Sequence, residues 1–386
     1  MCMCKHANEP KNIESNHRSD VDDVMSPKEA KLVLCTATQT KAYRLIHKHH
    51  MKTEYFAINI VFFVFSTLVV AQAKLNRANM SAENPSLKRN CALRRVGIVG
   101  YGSLGQFLAK AIITDPVASK ELALSFVWNR TEKKIQDDID AGVLPEGVLL
   151  KDLNKFGERG VDLIVEVAHS TITATMGSTF LSKANYMVGS PTCFSDKNIE
   201  GSIRAQLAVN LENNVEYGAF IPAGALWGAN DIQKMADRGS LKGLGVTMKF
   251  GAQALRLQGE LKKKLEKIVA NGYTEEKLLY DGPIRDLCPM APNNVNTIAC
   301  AALAGHNIGF DNTRAQLYVA APDLHAHIVE VHVEGPGGFK ADNVRHNPAK
   351  VGAVTGNATY NSFLSSMLAA AKMSKGGSCA GRMTFV

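Results

Sequence analysis

The apolar positions of the chain follow two periods in turn, beginning at about residue 96. Short continuous apolar runs of strand length alternate with segments whose apolar residues recur every three or four positions, as on an amphipathic helix. The runs are RVGIV, LALSFVW, VDLIVEV, NYMVGS and VEYGAFIP, and DKNIEGSIRAQLAVNLENN is one of the helical segments between them. Buried parallel strands separated by helices form a doubly wound sheet. The first half of this region is therefore predicted to be an α/β domain of that type.

The second half has a different pattern, in which apolar and polar residues alternate within the strands. GLGVTMKF, RAQLYVAAP and HIVEVHVEG read as strands, with helical segments such as the lysine-rich GELKKKLEKIVANG between them. Alternation in the last strand places His327 on the same face as Val329 and opposite Glu330. We expect an α+β domain built on an open sheet that helices cover on one side. This sheet would supply the floor of a substrate site.

The first apolar run ends in the motif GYGSLG, with glycines at three fixed positions. Gly100 permits a tight turn, Gly102 lets the backbone approach a ligand closely, and Gly105 lets the following helix pack against its strand. At Ser103 and Leu104 the helix begins, and its free N–H groups and positive dipole end suit a diphosphate. A glycine-rich turn that matches by chance is the alternative. Because a strand precedes the motif and an amphipathic helix follows it, we favour dinucleotide binding by a Rossmann domain.

These patterns give a predicted domain organisation, which assigns both ends of the globular region to the Rossmann domain. The predicted parts are an extension over 1–90, a Rossmann domain over 91–221 completed by 346–386, and a substrate and dimerisation domain over 222–345.

Ligands of a doubly wound sheet bind beyond the carboxyl ends of its strands. The predicted strand ends gather one set of residues around a crevice: Asn129, Arg130, His169, Ser170, Ser190 and Pro191. Ala168, next to His169, is also predicted to bind the cofactor. A carboxylate at the end of the second strand binds the ribose of NAD, whereas an arginine nearby can pair with the phosphate of NADP. Asn129 followed by Arg130 favours NADP, or the use of both NAD and NADP. An Arg130 that only faces solvent is the alternative.

Composition and charge narrow the function classes. The chain of 386 residues is 46% hydrophobic and 21% charged, as in ordinary globular proteins. The first 90 residues hold thirteen Lys and Arg against eight Asp and Glu, so most of the net charge of +8 lies there. Without a basic stripe in the globular part, no nucleic-acid partner is expected. The eight cysteines include no CxxC pair, which favours reduced thiols in a cytoplasmic protein and no metal site.

The extension contains one hydrophobic segment, at 56–73, within a leader that is otherwise polar and that its composition predicts to be disordered. Read from Met51, the segment has the layout of a secretory signal peptide. Read from Met1, it is a short candidate membrane anchor, and membrane contact is expected only if it is retained. A functional protein that starts at Met80 is the third and preferred interpretation, because nothing downstream has extracellular character. This interpretation predicts a cytoplasmic protein.

Five segments of the chain resemble a known protein family, which the spacing of residues alone would not identify. They are FIPAGALWGANDI, TMKF, LYDGPIRDLCPMAPNNVNTIACAALAG, APDLHAHIVEVHVEGPGG and HNPAKVGAVTGNATYNSFLSSML. Together they resemble the L-aspartate dehydrogenase family, especially its animal branch, from Leu93 to Ala371. The resemblance implies reversible NAD(P)-dependent oxidation of L-aspartate to iminoaspartate, which water converts into oxaloacetate and ammonia. It also implies a homodimer formed through the second sheet, and a final helix that returns to the Rossmann domain.

The resemblance also implies roles for individual residues. The family's cofactor-binding Ser-Gly-Ala turn corresponds to 223–225, where Ala223 replaces the serine and the backbone contact at Ala225 is kept. Asn296 would lie near the nicotinamide, and His327 would be the catalytic histidine, with His325 as the competing assignment. A histidine suits this chemistry because its ordinary pKa lies near neutrality.

The sequence identifies the residues that would bind the substrate less clearly than those that would bind the cofactor. Lys249 and Arg285 lie in resembling segments and are candidates to bind the substrate's carboxylates. His169, at the end of a predicted strand, is a candidate to face the nicotinamide ring. Two further functions are kept open. The serine missing at position 223 is compatible with an oxidoreductase acting on another small amino or hydroxy acid, and the motif alone is compatible with a dinucleotide-binding protein without catalysis.

Overall fold

The computed structural model describes residues 93–374 and 379–386. The predictions made for the extension, including the hydrophobic segment at 56–73 and the start at Met80, lie outside these residues. Within the described part, no helix combines the length and the apolar character that crossing a membrane requires. The region 91–386 forms one compact unit that contains two β-sheets.

Eleven strands and ten helices are distinguished among the described residues. The strands are β1 (Arg94–Val99), β2 (Leu122–Trp128), β3 (Leu163–Glu166), β4 (Asn185–Val188), β5 (Ala219–Ile221), β6 (Gly243–Phe250), β7 (Lys277–Pro283), β8 (Arg314–Val319), β9 (Ala326–Glu334), β10 (Lys340–Pro348) and β11 (Met383–Phe385). The helices are α1 (Ser103–Thr114), α2 (Lys133–Asp140), α3 (Ser170–Leu181), α4 (Lys197–Glu212), α5 (Ala229–Asp237), α6 (Gly259–Ala270), α7 (Ile284–Leu287), α8 (Asn296–Ala304), α9 (Gly309–Asn312) and α10 (Asn357–Met373).

The first sheet has six strands in the order β11-β5-β4-β3-β1-β2, and every neighbouring pair is parallel. Since β2 and β3 lie on opposite sides of β1, the strand order reverses at the carboxyl end of β1, which is where ligands of such sheets bind. All residues of β3, β4 and β5 are buried, in agreement with their continuous apolar runs. The predicted doubly wound α/β domain is confirmed.

The second sheet has five strands in the order β10-β9-β6-β8-β7. The β6–β8 pair is parallel and the other pairs are antiparallel. Along β9, His327, Val329 and Val331 are buried, whereas the residues between them are more exposed, which is the alternation that the sequence predicted. Helix α8 packs against the inner face at β6.

The chain returns to the first sheet after β10. Helix α10 packs against α1 and buries Phe363, Met367 and Ala370 in the core on that side of the sheet. Strand β11 then pairs with β5 as the last strand of the sheet. The second sheet continues to Pro348, because β10 pairs with β9 over its whole length, so its last residues lie beyond the predicted boundary at 345/346.

Candidate active site

A cleft of about 590 Å³ lies where the carboxyl ends of the first sheet face the second sheet. Its walls are the glycine turn after β1, the loops that follow β3, β4 and β5, the inner face of β6 and β9, the start of α8, and the segment 352–356. The cleft is therefore built from segments that are far apart in the sequence.

The glycine turn fits a dinucleotide's diphosphate. Gly100 has φ = +111°, and a Cβ there would lie 2.7 Å from the backbone N of Ala168. A Cβ at Gly105 would lie 2.0 Å from the carbonyl oxygen of Gly100, so only glycine lets α1 pack this closely. Gly102 is exposed, and a Cβ there would contact nothing within 4 Å. The free space at Gly102, beside the N-terminus of α1, is the place for the phosphates.

The residues after β2 hold the glycine turn in place. Asn129 accepts a hydrogen bond from the Tyr101 N–H through Oδ1 (3.1 Å) and donates through Nδ2 to the carbonyl of Thr131 (2.9 Å). Its side chain thus holds the turn from the second strand. Arg130 follows it and is exposed. The position where NAD-specific enzymes carry a carboxylate holds an amide here, which leaves room for a phosphate on the ribose.

The loops after β3 and β4 bring Ser190 and Pro191 to the cleft, as the strand-end argument predicted, and Ala168 also lines it. Ser170 instead begins helix α3 and is not among the residues that line the cleft. His169 does not line the cleft. Its Nδ1 instead accepts a hydrogen bond from the Thr171 N–H at 3.3 Å and caps helix α3. The expectation that this ring faces the nicotinamide is not supported, because the Thr171 N–H in the first turn of the helix engages it.

The family-derived positions 225 and 296 both line the cleft. The Ala223–Ala225 turn bends at Gly224, where φ is +58°. Asn296 begins α8, and its Oδ1 is buried without a hydrogen-bond partner in the described structure. An orphaned buried oxygen costs about 1–3 kcal/mol. A carboxamide such as that of nicotinamide would supply the missing donor, so the residues present fit a pyridine nucleotide.

His327 lies on the inner face of β9, on the second sheet's side of the cleft. The ring is 6% exposed and packs on Phe250, with the ring centroids 4.6 Å apart. Burial lowers the pKa of His327 below its ordinary value, and a hydrogen bond to the backbone of Ala353 partly opposes this. The ring is therefore a neutral base at pH 7.

The competing His325 is exposed and lines a smaller, separate pocket of about 140 Å³. His327 borders both pockets, whereas His325 does not reach the cleft. The geometry thus favours His327 of the two assignments, because only its ring lies in the cleft with the glycine turn.

Neither predicted substrate cation lies in the cleft. Lys249 is on the outer face of β6 and makes ion pairs with Glu276 and Glu330, each at 3.1 Å. Arg285 pairs with Asp311 and also donates to the carbonyl of Ser195. Neighbouring strand residues point to opposite faces, so Met248 and Phe250 line the cleft and the lysine between them cannot. The assignment of these two cations to the substrate is corrected here.

Arg256 was missed by the sequence analysis and does line the cleft. Among the described residues around the cleft, it is the only Lys, Arg, Asp or Glu. Its guanidinium donates to the carbonyls of Gln253 (2.6 Å) and Gly352 (3.2 Å), and its backbone N–H donates to Asn294 Oδ1 (2.7 Å). Its position in the sequence could have indicated this, because Arg256 lies in the loop that follows β6, and the inner face of β6 forms the floor of the cleft.

The fold and this cleft define a dehydrogenase that uses a pyridine nucleotide. The glycine turn, the free space at Gly102 and the orphaned Asn296 oxygen together fit NAD or NADP. Within 93–374 and 379–386, no cluster of three or more His, Cys, Asp or Glu residues is arranged to hold a metal ion.

Comparisons with known proteins lead from this class to a family. The family described as "Aspartate dehydrogenase, C-terminal" matches residues 231–366, and "Homoserine dehydrogenase, NAD binding domain" matches residues 100–212. An aspartate dehydrogenase domain-containing protein of Danio rerio is 44% identical over 277 residues, which are 71% of this chain and 94% of the relative. Its counterpart in Xenopus tropicalis is 42% identical, with the same coverage of both chains. The chain therefore belongs to the aspartate dehydrogenase family.

More distant relatives agree with this assignment. An L-aspartate dehydrogenase of Methanosarcina acetivorans is 26% identical over 66% of this chain and 89% of the relative. The crystal structure of an aspartate dehydrogenase from Thermotoga maritima, 16% identical, superposes with a TM-score of 0.50 and covers 72% of this chain and 94% of that one. This structural match supports the fold. The predicted family, its fold class and its use of NAD or NADP are confirmed.

Proposed function

We propose that the protein catalyses the reversible NAD(P)-dependent oxidative deamination of L-aspartate. In this direction L-aspartate, water and the oxidised cofactor give oxaloacetate, ammonium, the reduced cofactor and a proton. The observation that carries the proposal is the position of His327, a buried neutral imidazole in the same cleft as the glycine turn. The names of the archaeal relatives support aspartate as the substrate.

The proton transfers are assigned to His327. The glycine turn and Asn296 would hold the pyridine nucleotide, which when bound would supply the acceptor for the hydride of the substrate's Cα. His327 takes the proton of the substrate ammonium, which frees the lone pair needed to form the C=N bond. The protonated ring releases this proton to solvent. Neutral again, it takes a proton from the water that attacks the imine carbon, and transfer of that proton to the nitrogen lets ammonia leave as the hydroxyl group becomes the carbonyl. A base with a pKa near or below neutrality suits both steps, because it must be neutral before each transfer.

Arg256 is proposed to bind a carboxylate of the substrate. It is the only guanidinium or ammonium among the described residues that line the cleft, and an arginine can bind a carboxylate through two parallel hydrogen bonds. Its existing bonds run to three backbone carbonyls, those of Gln253, Leu255 and Gly352, and no carboxylate of the described chain pairs with it.

A substrate screen on the full-length chain tests the reaction. Oxaloacetate, pyruvate and 2-oxoglutarate are each supplied with ammonium, and oxidation of NADH or NADPH is followed at 340 nm. We expect oxaloacetate to be reduced fastest, with aspartate as the product by chromatography. Folded protein that binds either cofactor but turns over only another acid would support the alternative oxidoreductase. Cofactor binding without any turnover would support the noncatalytic alternative.

A further inference from the structure

A carboxyl group lies buried beneath the cleft, and the proposed chemistry does not use it. Glu166 is the last residue of β3 and is fully buried. Its Oε1 accepts hydrogen bonds from the backbone N–H groups of Ala168 (2.7 Å) and His169 (2.8 Å) and from Ser190 Oγ (3.1 Å). Its Oε2 accepts one from the Ser190 N–H (3.0 Å). One side chain therefore joins the loops that follow two neighbouring strands.

Both of these loops belong to the cofactor's side of the cleft. Ala168 and Ser190 line it, and the Val167–Ala168 backbone lies against Gly100, where any Cβ would approach within 2.7 Å. The glycine turn thus packs on the backbone that the Glu166 carboxyl holds. A displacement of either loop changes the surface that the bound dinucleotide contacts.

Burying this carboxyl costs free energy, because the group is removed from water. None of its four hydrogen bonds comes from a cation, and burial raises the pKa of Glu166 to about 7 although these donors act in the opposite direction. An apolar side chain would avoid the cost of desolvation. It would also leave three backbone N–H groups without their acceptor. The carboxyl is thus explained by the loops it holds.

We propose that Glu166 is a positioning residue for the dinucleotide, which sets the geometry of the β3 and β4 loops by accepting hydrogen bonds from both. The inference rests on the dinucleotide-binding part of the proposed function and is independent of the identity of the acid substrate.

The test compares two buried polar residues at opposite ends of the same sheet. Glu166→Gln keeps the size of the side chain but turns an NH₂ group toward the N–H of Ser190, so one loop loses its acceptor. The matched control is Asn185→Ala, at the first residue of β4. Asn185 is 4% exposed and bonds the Gly218 N–H (3.0 Å) and the carbonyl of Asp162 (3.3 Å), away from the cleft.

Three quantities are measured on each full-length variant: the Kd of NADH and NADPH by fluorescence titration, the Tm, and kcat at saturating cofactor. We expect Glu166→Gln to raise the Kd about tenfold or more, since an unmatched buried donor costs about 1–3 kcal/mol. At saturating cofactor kcat should change far less. Asn185→Ala should lower the Tm while its Kd stays within about twofold of the wild type.

An unchanged Kd in folded Glu166→Gln would overturn the proposal, and so would an equal rise in Kd in Asn185→Ala. If Glu166→Gln does not fold, hydrogen exchange of the wild-type chain decides instead. The loop amides of Ala168, His169 and Ser190 should exchange as slowly as strand amides, and rapid exchange would refute the role. Because Kd and exchange are read without the acid substrate, failure here is distinguishable from failure of the proposed reaction.

Discussion

The two sheets of this molecule bury their strands in different ways, and the difference decides how each contributes to the cleft. Strands β3, β4 and β5 of the parallel sheet are buried on both faces, so their ligand-binding groups lie in the loops after them. In the mixed sheet, β6 and β9 have one inner and one outer face, and the inner side chains themselves form the floor. Strand ends determine the first half of the site, and strand faces determine the second.

Two adjacent residues of β6 illustrate how strand faces determine which side chains reach the cleft. Met248 is 4% exposed and lines the cleft, whereas Lys249 lies on the other face with two carboxylates. A shift of one position in a strand exchanges a side chain that lines the cleft for one in a surface ion pair. In the parallel sheet the same shift moves a residue within a loop that still borders the cleft. The predictions below probe this contrast, beginning with the largest expected effect.

Removing the inner-face imidazole should have the largest effect. His327→Ala removes the proposed base, so kcat should fall by about 10²- to 10⁴-fold while cofactor Kd changes little. His325→Ala is the matched control, because its side chain lies only in the smaller pocket, and it should retain kcat within a few-fold. Steady-state kinetics on both variants measure this. Equal losses in the two variants would contradict the assignment of His327.

The cationic side chains of Arg256 and Lys249 provide the next comparison. Arg256→Met should raise the KM for aspartate about ten- to a hundredfold, because a hydrogen-bonded ion pair to substrate contributes about 1.5–3 kcal/mol. Lys249→Met leaves two outer-face carboxylates without their ammonium, so it should alter the Tm and leave this KM unchanged. A rise in KM in Lys249→Met alone would restore the lysine as the substrate residue.

The cofactor side is tested by adding one methyl group. Gly102→Ala meets no atom within 4 Å in the protein itself, so the Tm should be preserved. The methyl would occupy space needed by the diphosphate, and the Kd for either cofactor should rise about tenfold, equivalent to 1.4 kcal/mol. Gly201→Ala in α4 is equally free of contacts and lies away from the cleft, so its Kd should match the wild type. Matching Kd values in both variants would place the diphosphate elsewhere.

The smallest effect is a shift of the pH profile. Burial lowers the pKa of His327 in the folded protein, so the ring stays neutral to a lower pH than an exposed histidine. As pH falls through this pKa the ring is protonated and the base is lost. We therefore expect kcat/KM to decline on the acid side with an apparent pKa below about 6.5. A midpoint above that value, or an identical acid limb in His327→Ala, would assign the limb to another group.

Much of the fold and part of the site follow from local sequence patterns. The glycine turn, the parallel strands and the inner face of β9 were all predicted, because each depends on a short spacing along the chain. Ser190 and Pro191 line the cleft, where strand ends were expected to place them, whereas Asn129 holds the glycine turn and is not among the residues that line the cleft. The positions of such strand-end residues depend only on the direction of the strand and on the residue at which it ends.

By itself, the sequence determined the α/β class, the dinucleotide motif and the alternation that turns His327 inward, since these require only neighbours within a few residues. Tertiary structure decided which cation enters the cleft, which histidine caps a helix, and which carboxyl ties two loops together. Arg256, His169 and Glu166 have these roles through partners that folding brings to them. Hydrogen bonding and burial depend on where distant segments meet, and periodicity along one strand does not contain that information.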